Sequence, residues 1–132
     1  RIRRNTKLYV ILDTLENLVK GGRIGKGKGL VSSLLNIKPI ADVEKGEYTP
    51  LTIARNYRQA IRQLVKTFKK DLEGKLPRKI AIVHADGLEM AKNLKQQLQE
   101  SFRELDIPIS ETTPAISIHS GPGAIGLMFY MD

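Results

Sequence analysis

An α/β layered domain, with a mixed β-sheet and about four helices packed on it, is the fold class this sequence predicts. Two observations carry that expectation. Short apolar runs of strand length recur along the chain, and between them lie segments whose apolar residues return every three or four positions. Glycine and proline clusters punctuate the alternation.

The first element is Leu8-Tyr9-Val10-Ile11-Leu12, an unbroken apolar run that reads as a buried strand. Asp13-Thr14-Leu15-Glu16 then has the form of a capping box and opens a short helix that stops at Gly21-Gly22. A glycine-rich basic loop follows, and Leu30, Val31, Leu34 and Leu35 carry a second helical spacing up to Asn36 and Pro39. Ile40 to Val43 and Tyr48 to Leu51 flank Glu44-Lys45-Gly46-Glu47 as the arms of a hairpin.

The longest helix is set by Tyr57, Ile61, Leu64, Val65, Phe68 and Leu72, one apolar stripe. Ile80-Ala81-Ile82-Val83 is the next strand, and Asp86-Gly87-Leu88-Glu89 is read as a capped start for a helix with Ala91, Leu94, Leu98 and Phe102 inward. After a loop around Pro108, Ala115 to His119 alternates as a strand does, a Gly-Pro-Gly break intervenes, and Leu127 to Tyr130 forms the last strand. Strand order is not deducible from these patterns.

At 132 residues the chain fits one domain with a real core. It begins on Arg1 rather than Met, which reads as the start of a piece of a larger protein. Without cysteine there is no disulfide framework, thiolate metal site or cysteine nucleophile, and a reducing, cytoplasmic setting is expected. No apolar run approaches the roughly 18 residues of a membrane span. The formal charge of +8 favours an anionic partner without choosing among nucleic acid, membrane, phosphate and carboxylate.

Several motifs compete for that partner. Gly22 to Lys28 resembles a phosphate loop, but Gly29 stands where the magnesium-binding Ser or Thr belongs and the stretch follows a helix rather than a strand. Gly121, Gly123 and Gly126 satisfy G-x-G-x-x-G, yet a strand follows instead of the helix that would hold a dinucleotide. Arg55, Arg58, Arg62, Lys66 and Lys69 make a basic stripe on the long helix, read either as a phosphate contact or as solvated surface. With aromatic residues at 5% and no tryptophan, a stacking platform for single strands is not expected. Of the two histidines, His84 ends one strand and His119 another; either can be a satisfied strand-end residue. His119 is the stronger ligand candidate, because the adjacent glycines let backbone N–H groups approach an anion and imidazole can donate to it.

Four blocks, in order and spacing, give the chain a resemblance to the C-terminal domain of the DegV family of fatty-acid-binding proteins. They are Leu12-Asp13-Thr14-Leu15-Glu16 with Gly21-Gly22-Arg23-Ile24, then Leu35 to Ile40, then Arg55 with Ala60, and His119-Ser120-Gly121-Pro122-Gly123-Ala124. The resemblance covers nearly the whole chain and implies the second of two α/β domains, the N-terminal one lying outside this chain. Together the two enclose one long-chain fatty acid, whose carboxylate is held near the domain interface and whose tail lies in an apolar tunnel.

The resemblance further implies that first-domain hydroxyls and His119 reach the carboxylate, with Ser120, Gly121 and Gly123 beside it. Arg23 and Arg55 match arginines of the family pattern and are candidate headgroup or partner contacts. Ile125, Leu127 and Met128 follow as a candidate acyl-chain wall, with core packing the default for each. The implied role is a bacterial, cytoplasmic carrier without catalysis or cofactor of its own, which presents its carboxylate to a separate fatty acid kinase. The run Gly25-Lys26-Gly27-Lys28-Gly29 departs from the family pattern, which often has a serine after Gly-Gly-Arg-Ile. The alternative is a basic regulatory or nucleic-acid-binding domain that works through the helix stripe.

Overall fold

The computed structural model describes residues 6–12, 37–44, 47–111 and 123–131. They form one six-stranded sheet and two helices: β1 (Thr6–Ile11), β2 (Lys38–Glu44), β3 (Glu47–Ala54), α1 (Tyr57–Leu72), β4 (Lys79–His84), α2 (Leu88–Ser101), β5 (Ile109–Glu111) and β6 (Ile125–Tyr130). The strand order is β3-β2-β1-β6-β4-β5. The β4–β5 pair is parallel and the other pairs are antiparallel, so the sheet is mixed, as expected. The two helices expected after Asp13 and at Leu30 to Leu35, and the strand expected over Ala115 to His119, lie outside the described residues. Among the described residues no helix is long and apolar enough to cross a membrane.

The strands follow from their apolar runs. β1 and β6 are paired on both sides, and the register lays matched rows across the sheet. Ile40, Ile11, Ile125 and His84 stand in one row, and Tyr9, Leu127 and Ile82 in the next. Because side chains alternate with period two, these rows share one face, and a one-residue slip would turn all of them to the other side. The hairpin forms as its alternation requires, with Glu44 opposite Glu47. β3 is an edge strand, which is where Pro50 can sit without removing a needed ladder donor. β5 goes unread in the sequence because it is only three residues long and follows Pro108 directly.

Helix α1 starts where Asn56 accepts from the backbone N–H of Gln59 at 2.9 Å, and it ends on Glu73 in the left-handed conformation. Its stripe of Ile61, Leu64, Val65, Phe68 and Leu72 is buried, while Arg58, Arg62, Lys66 and Lys69 are exposed. Helix α2 corrects the expected capping box. The N-cap is Gly87, with no side-chain cap, and Asp86 precedes it at φ 61°. A left-handed Asp86 is turned away from cap geometry, which needs extended backbone at that position.

Both helices cover the same face, where the rows meet Phe68, Leu94 and Leu98 in the main core. Phe68 lies edge-on to Phe129 with centroids 4.5 Å apart, a favoured arrangement for buried rings. The opposite face carries a second cluster, with Val10, Leu12, Ala41, Tyr48, Ala85 and Ala124 buried and Leu8 and Val43 packed against them.

Gly126 belongs to that second face. A Cβ there would come within 2.8 Å of Val83 Cγ2 and 3.4 Å of Leu8 Cδ1 on the neighbouring strands. The third glycine of the G-x-G-x-x-G match is therefore required by strand packing. Gly126→Ala is expected to lower stability by about 1–3 kcal/mol, because the branched Val83 cannot swing aside freely, and denaturant unfolding would measure it. Tyr9 makes the opposite case. The residue is 1% exposed and its hydroxyl has no hydrogen-bond partner among the described residues. Tyr9→Phe is expected to leave stability unchanged or raise it by about 1 kcal/mol, since it removes a buried unpaired polar group; a clear fall in thermal midpoint would contradict that.

Candidate functional site

One end of the sheet gathers most of the groups that can meet a ligand. The β4 and β5 strands end there at His84 and Glu111, β6 begins there at Ile125, and both helices start there, at Tyr57 and Leu88. A cleft of about 690 Å³ opens at this end, lined by Tyr57, His84, Gly87, Met90, Glu111 and Gly123 among others. Ligands of open α/β sheets gather beyond the carboxyl ends of parallel strands, and helix N-termini there present unsatisfied N–H groups with partial positive charge. The helix N-termini favour an anionic or strongly accepting group, while the carboxylates of Asp86, Glu89 and Glu111 in the same lining oppose one.

His84 is 6% exposed, and its Nδ1 accepts the backbone N–H of Gly87 at 3.0 Å. An accepting Nδ1 bears no proton, so neutral imidazole keeps its hydrogen on Nε2. This histidine is the satisfied strand-end residue that the sequence allowed. It also fixes the turn from β4 into α2, where no side chain caps the helix.

Gly123 shapes the other wall. Its φ is 88°, its N–H donates to the Ala85 carbonyl, and the Ala85 N–H donates to the Ala124 carbonyl at 2.9 Å. One residue of the β4 side thus faces two of the β6 side, the pattern of a glycine β-bulge, with Gly123 in the left-handed position that glycine adopts without steric cost. The carbonyl of Gly123 accepts from the Tyr57 hydroxyl at 2.6 Å, and Lys38 Nζ lies 5.1 Å from the centre of the Tyr57 ring. Tyr57 entered the sequence reading only as a core position of α1; its place at the first turn, at the ligand end, is the signal that could have singled it out.

The expected site residues divide clearly. His119, Ser120, Gly121 and Arg23 lie outside the described residues. Gly123 lines the cleft. Arg55 is exposed just before the α1 cap, and its backbone N–H donates to Gln59 Oε1 at 2.7 Å. Ile125 and Leu127, weighed as acyl wall or core, are fully buried in the helix-covered core. Met128 is half-buried on the opposite face. Among the described residues no group of three or more His, Asp or Glu side chains is placed to hold a metal ion.

His84→Leu is expected to cost about 1–3 kcal/mol in thermal unfolding, because it leaves the Gly87 N–H without its acceptor at similar side-chain volume. An unchanged midpoint would mean that the turn does not depend on this bond.

Comparison with known proteins agrees with this architecture. The family model described as "uncharacterised protein, DegV family" matches residues 1–132. A DegV domain-containing protein of Listeria innocua is 37% identical over 131 residues, which are 99% of this chain and 46% of that protein. One from Staphylococcus aureus is 38% identical over 127 residues, again 46% of its length. This chain therefore spans about half the length of the curated relatives it matches.

Among solved structures, the Streptococcus pneumoniae fatty acid kinase B3 protein, loaded with linoleic acid, superposes with a TM-score of 0.84 at 26% identity. The superposition covers 99% of this chain and 46% of that one. A fatty-acid-binding protein from Thermus thermophilus gives a TM-score of 0.79 at 27% identity, over 98% of this chain and 47% of its own.

Proposed function

This chain belongs to the DegV family, and on that premise we propose that it is a fatty-acid-binding domain, the second of two α/β domains that enclose one long-chain fatty acid between them. The observation that carries the reading is the similarity, along 99% of the chain, to a protein solved with linoleic acid in place. In this reading the first domain belongs to the part of the relatives' length that this chain, at 46% coverage, does not span.

The physical chemistry of the ligand end supports the same reading. A carboxylate leaving water needs several donors to offset its lost hydration, and charge-assisted or backbone N–H bonds serve best. The His119 imidazole and the main chain of Ser120 and Gly121 supply that group from this domain, with hydroxyls of the other domain completing it; Gly123, whose N–H is taken by Ala85, contributes to the wall beside them and not a donor. Arg23 and Arg55 add positive charge for the headgroup or for a protein that docks beside it. The exposed stripe of Arg58, Arg62, Lys66 and Lys69 is solvated surface in this reading.

The domain performs no chemistry of its own. It presents the carboxylate to a separate fatty acid kinase, which phosphorylates it, and the cytoplasm is where the two meet. Steeply salt-dependent nucleic-acid binding, relieved by changing Arg58 and Arg62, would point instead to the basic-domain alternative.

Mass spectrometry of organic extracts from the gently purified full-length protein is expected to show one fatty acid per molecule, and the isolated 132-residue chain little or none. His119→Ala in the full-length protein is expected to lower fatty-acid affinity roughly tenfold or more with the fold intact, the size of a lost charge-assisted hydrogen bond. A folded full-length protein that carries no lipid, and takes up none when offered oleate, would end the proposal.

A further inference from the structure

We infer that His84 is a pH-sensitive latch on the ligand end of the sheet: the neutral ring holds the Gly87 N–H and with it the start of α2, and the protonated ring lets both go. The latch is built from the cleft and its walls alone, so it stands whatever ligand the cleft takes.

Gly87 joins strand to helix through its own two backbone groups. Its N–H donates to His84 Nδ1 at 3.0 Å, and its carbonyl accepts from the Ala91 N–H at 2.9 Å as the first turn of α2 closes. No side chain caps this helix, so the imidazole ties the N-cap residue back to β4. Asp86 lies between them at φ 61°, a conformation that residues with a Cβ adopt at a cost, so the turn is inclined to relax once the bond is lost.

An imidazole accepts a hydrogen bond only through a nitrogen that carries no proton. Protonation of Nδ1 therefore consumes the lone pair that the Gly87 N–H uses and sets two N–H groups against each other. The ring is 6% exposed yet lines the cleft, which gives protons a path to it. Asp86 in the turn, Glu89 on α2 and Glu111, which pairs with His84 across β4 and β5, line the same cleft and attract an imidazolium. The partial positive charge at the start of α2 opposes one. From α1 comes the Tyr57 phenol, with Lys38 of β2 5.1 Å from its ring centre, and from β6 the apolar Ile125.

What the latch releases is a wall of the cleft. Leu88, Glu89 and Met90, the first turn of α2, line it together with Gly87. Gly87 also lies against the opposite wall: a Cβ there would stand 3.6 Å from the Gly123 carbonyl oxygen, which the Tyr57 hydroxyl holds, and 3.6 Å from Ile125 Cγ1. The neutral ring keeps these walls at a fixed spacing, and in acid that restraint is gone.

Nuclear magnetic resonance of the full-length protein tests the latch, through the His84 ring nitrogens and the solvent exchange of the Gly87 amide, corrected for the intrinsic effect of pH on exchange. Between about pH 8 and about pH 5, the range in which histidines change charge, Gly87 protection is expected to fall about five- to tenfold. That is the worth of one net hydrogen bond, and its midpoint is expected to coincide with that of the His84 titration. His84→Asn places an amide oxygen near the position of Nδ1 and does not titrate, so its Gly87 protection is expected to stay within about twofold over the same range. His84→Gln is the second non-titrating variant should the shorter side chain fail to support the fold.

A Gly87 amide whose protection stays constant while His84 takes up its proton would overturn the inference, and so would a His84 that remains neutral throughout. A fall of the same size in a non-titrating variant would overturn it too, since the proton would then act at one of the carboxylates.

Discussion

The pairing of β6 with β1 on one side and β4 on the other is the constraint on which the rest of this domain depends. It locks the rows Ile11-Ile125-His84 and Tyr9-Leu127-Ile82 onto the face that both helices cover. With the strands held about 5 Å apart, Gly126 is the residue that lets Val83 and Leu8 approach across them. Any larger residue there would push β6 away from its neighbours, and a shift of register would exchange the two faces of the sheet.

The same pairing decides what stands at the ligand end. Where the β4–β6 ladder runs out, Ala85 faces both Gly123 and Ala124, and the bulge sets Gly123 at the end of the sheet where α1 and α2 begin. His84 ends β4 in the helix-covered row and accepts the N–H of the α2 cap residue, so one buried side chain ties the strand to the next helix. Glycine in the left-handed region, an uncapped helix start and a carbonyl held by a tyrosine hydroxyl are separate local choices. They are compatible with one another only because the central strands have already set the distances between them.

This arrangement bears on the proposed carrier role. The sheet end sets two helix N-termini beside a cleft, and their partial positive charge works against the acidic side chains of Asp86, Glu89 and Glu111 in the same wall. The helix-covered core is filled by Phe68, Phe129, Ile125 and Leu127, so its apolar volume is spent on stability. A fatty acyl tail shared with a second domain would need apolar walls elsewhere, and the opposite face, with Val10, Leu12 and Ala41 buried and Leu8 and Val43 beside them, is also apolar.

By itself the sequence determined the elements whose signal is local. The continuous apolar run at Leu8 to Leu12, the hairpin about Glu44 and Glu47, the stripe of α1 and the strand before His84 all follow from periodicity and turn chemistry, which neighbouring residues alone impose. The ordered blocks from Leu12 to Ala124 likewise pointed to the family. Tertiary structure decided the rest. Asp86 lost the cap to Gly87 because the turn places Asp86 at φ 61°, away from the extended backbone that a cap needs. β5 exists because β4 offers it a parallel edge, and Tyr57 acquires its partner from 66 residues away. Contacts of that range depend on strand order and on the distances between packed elements, and neither is written in the spacing of residues along the chain.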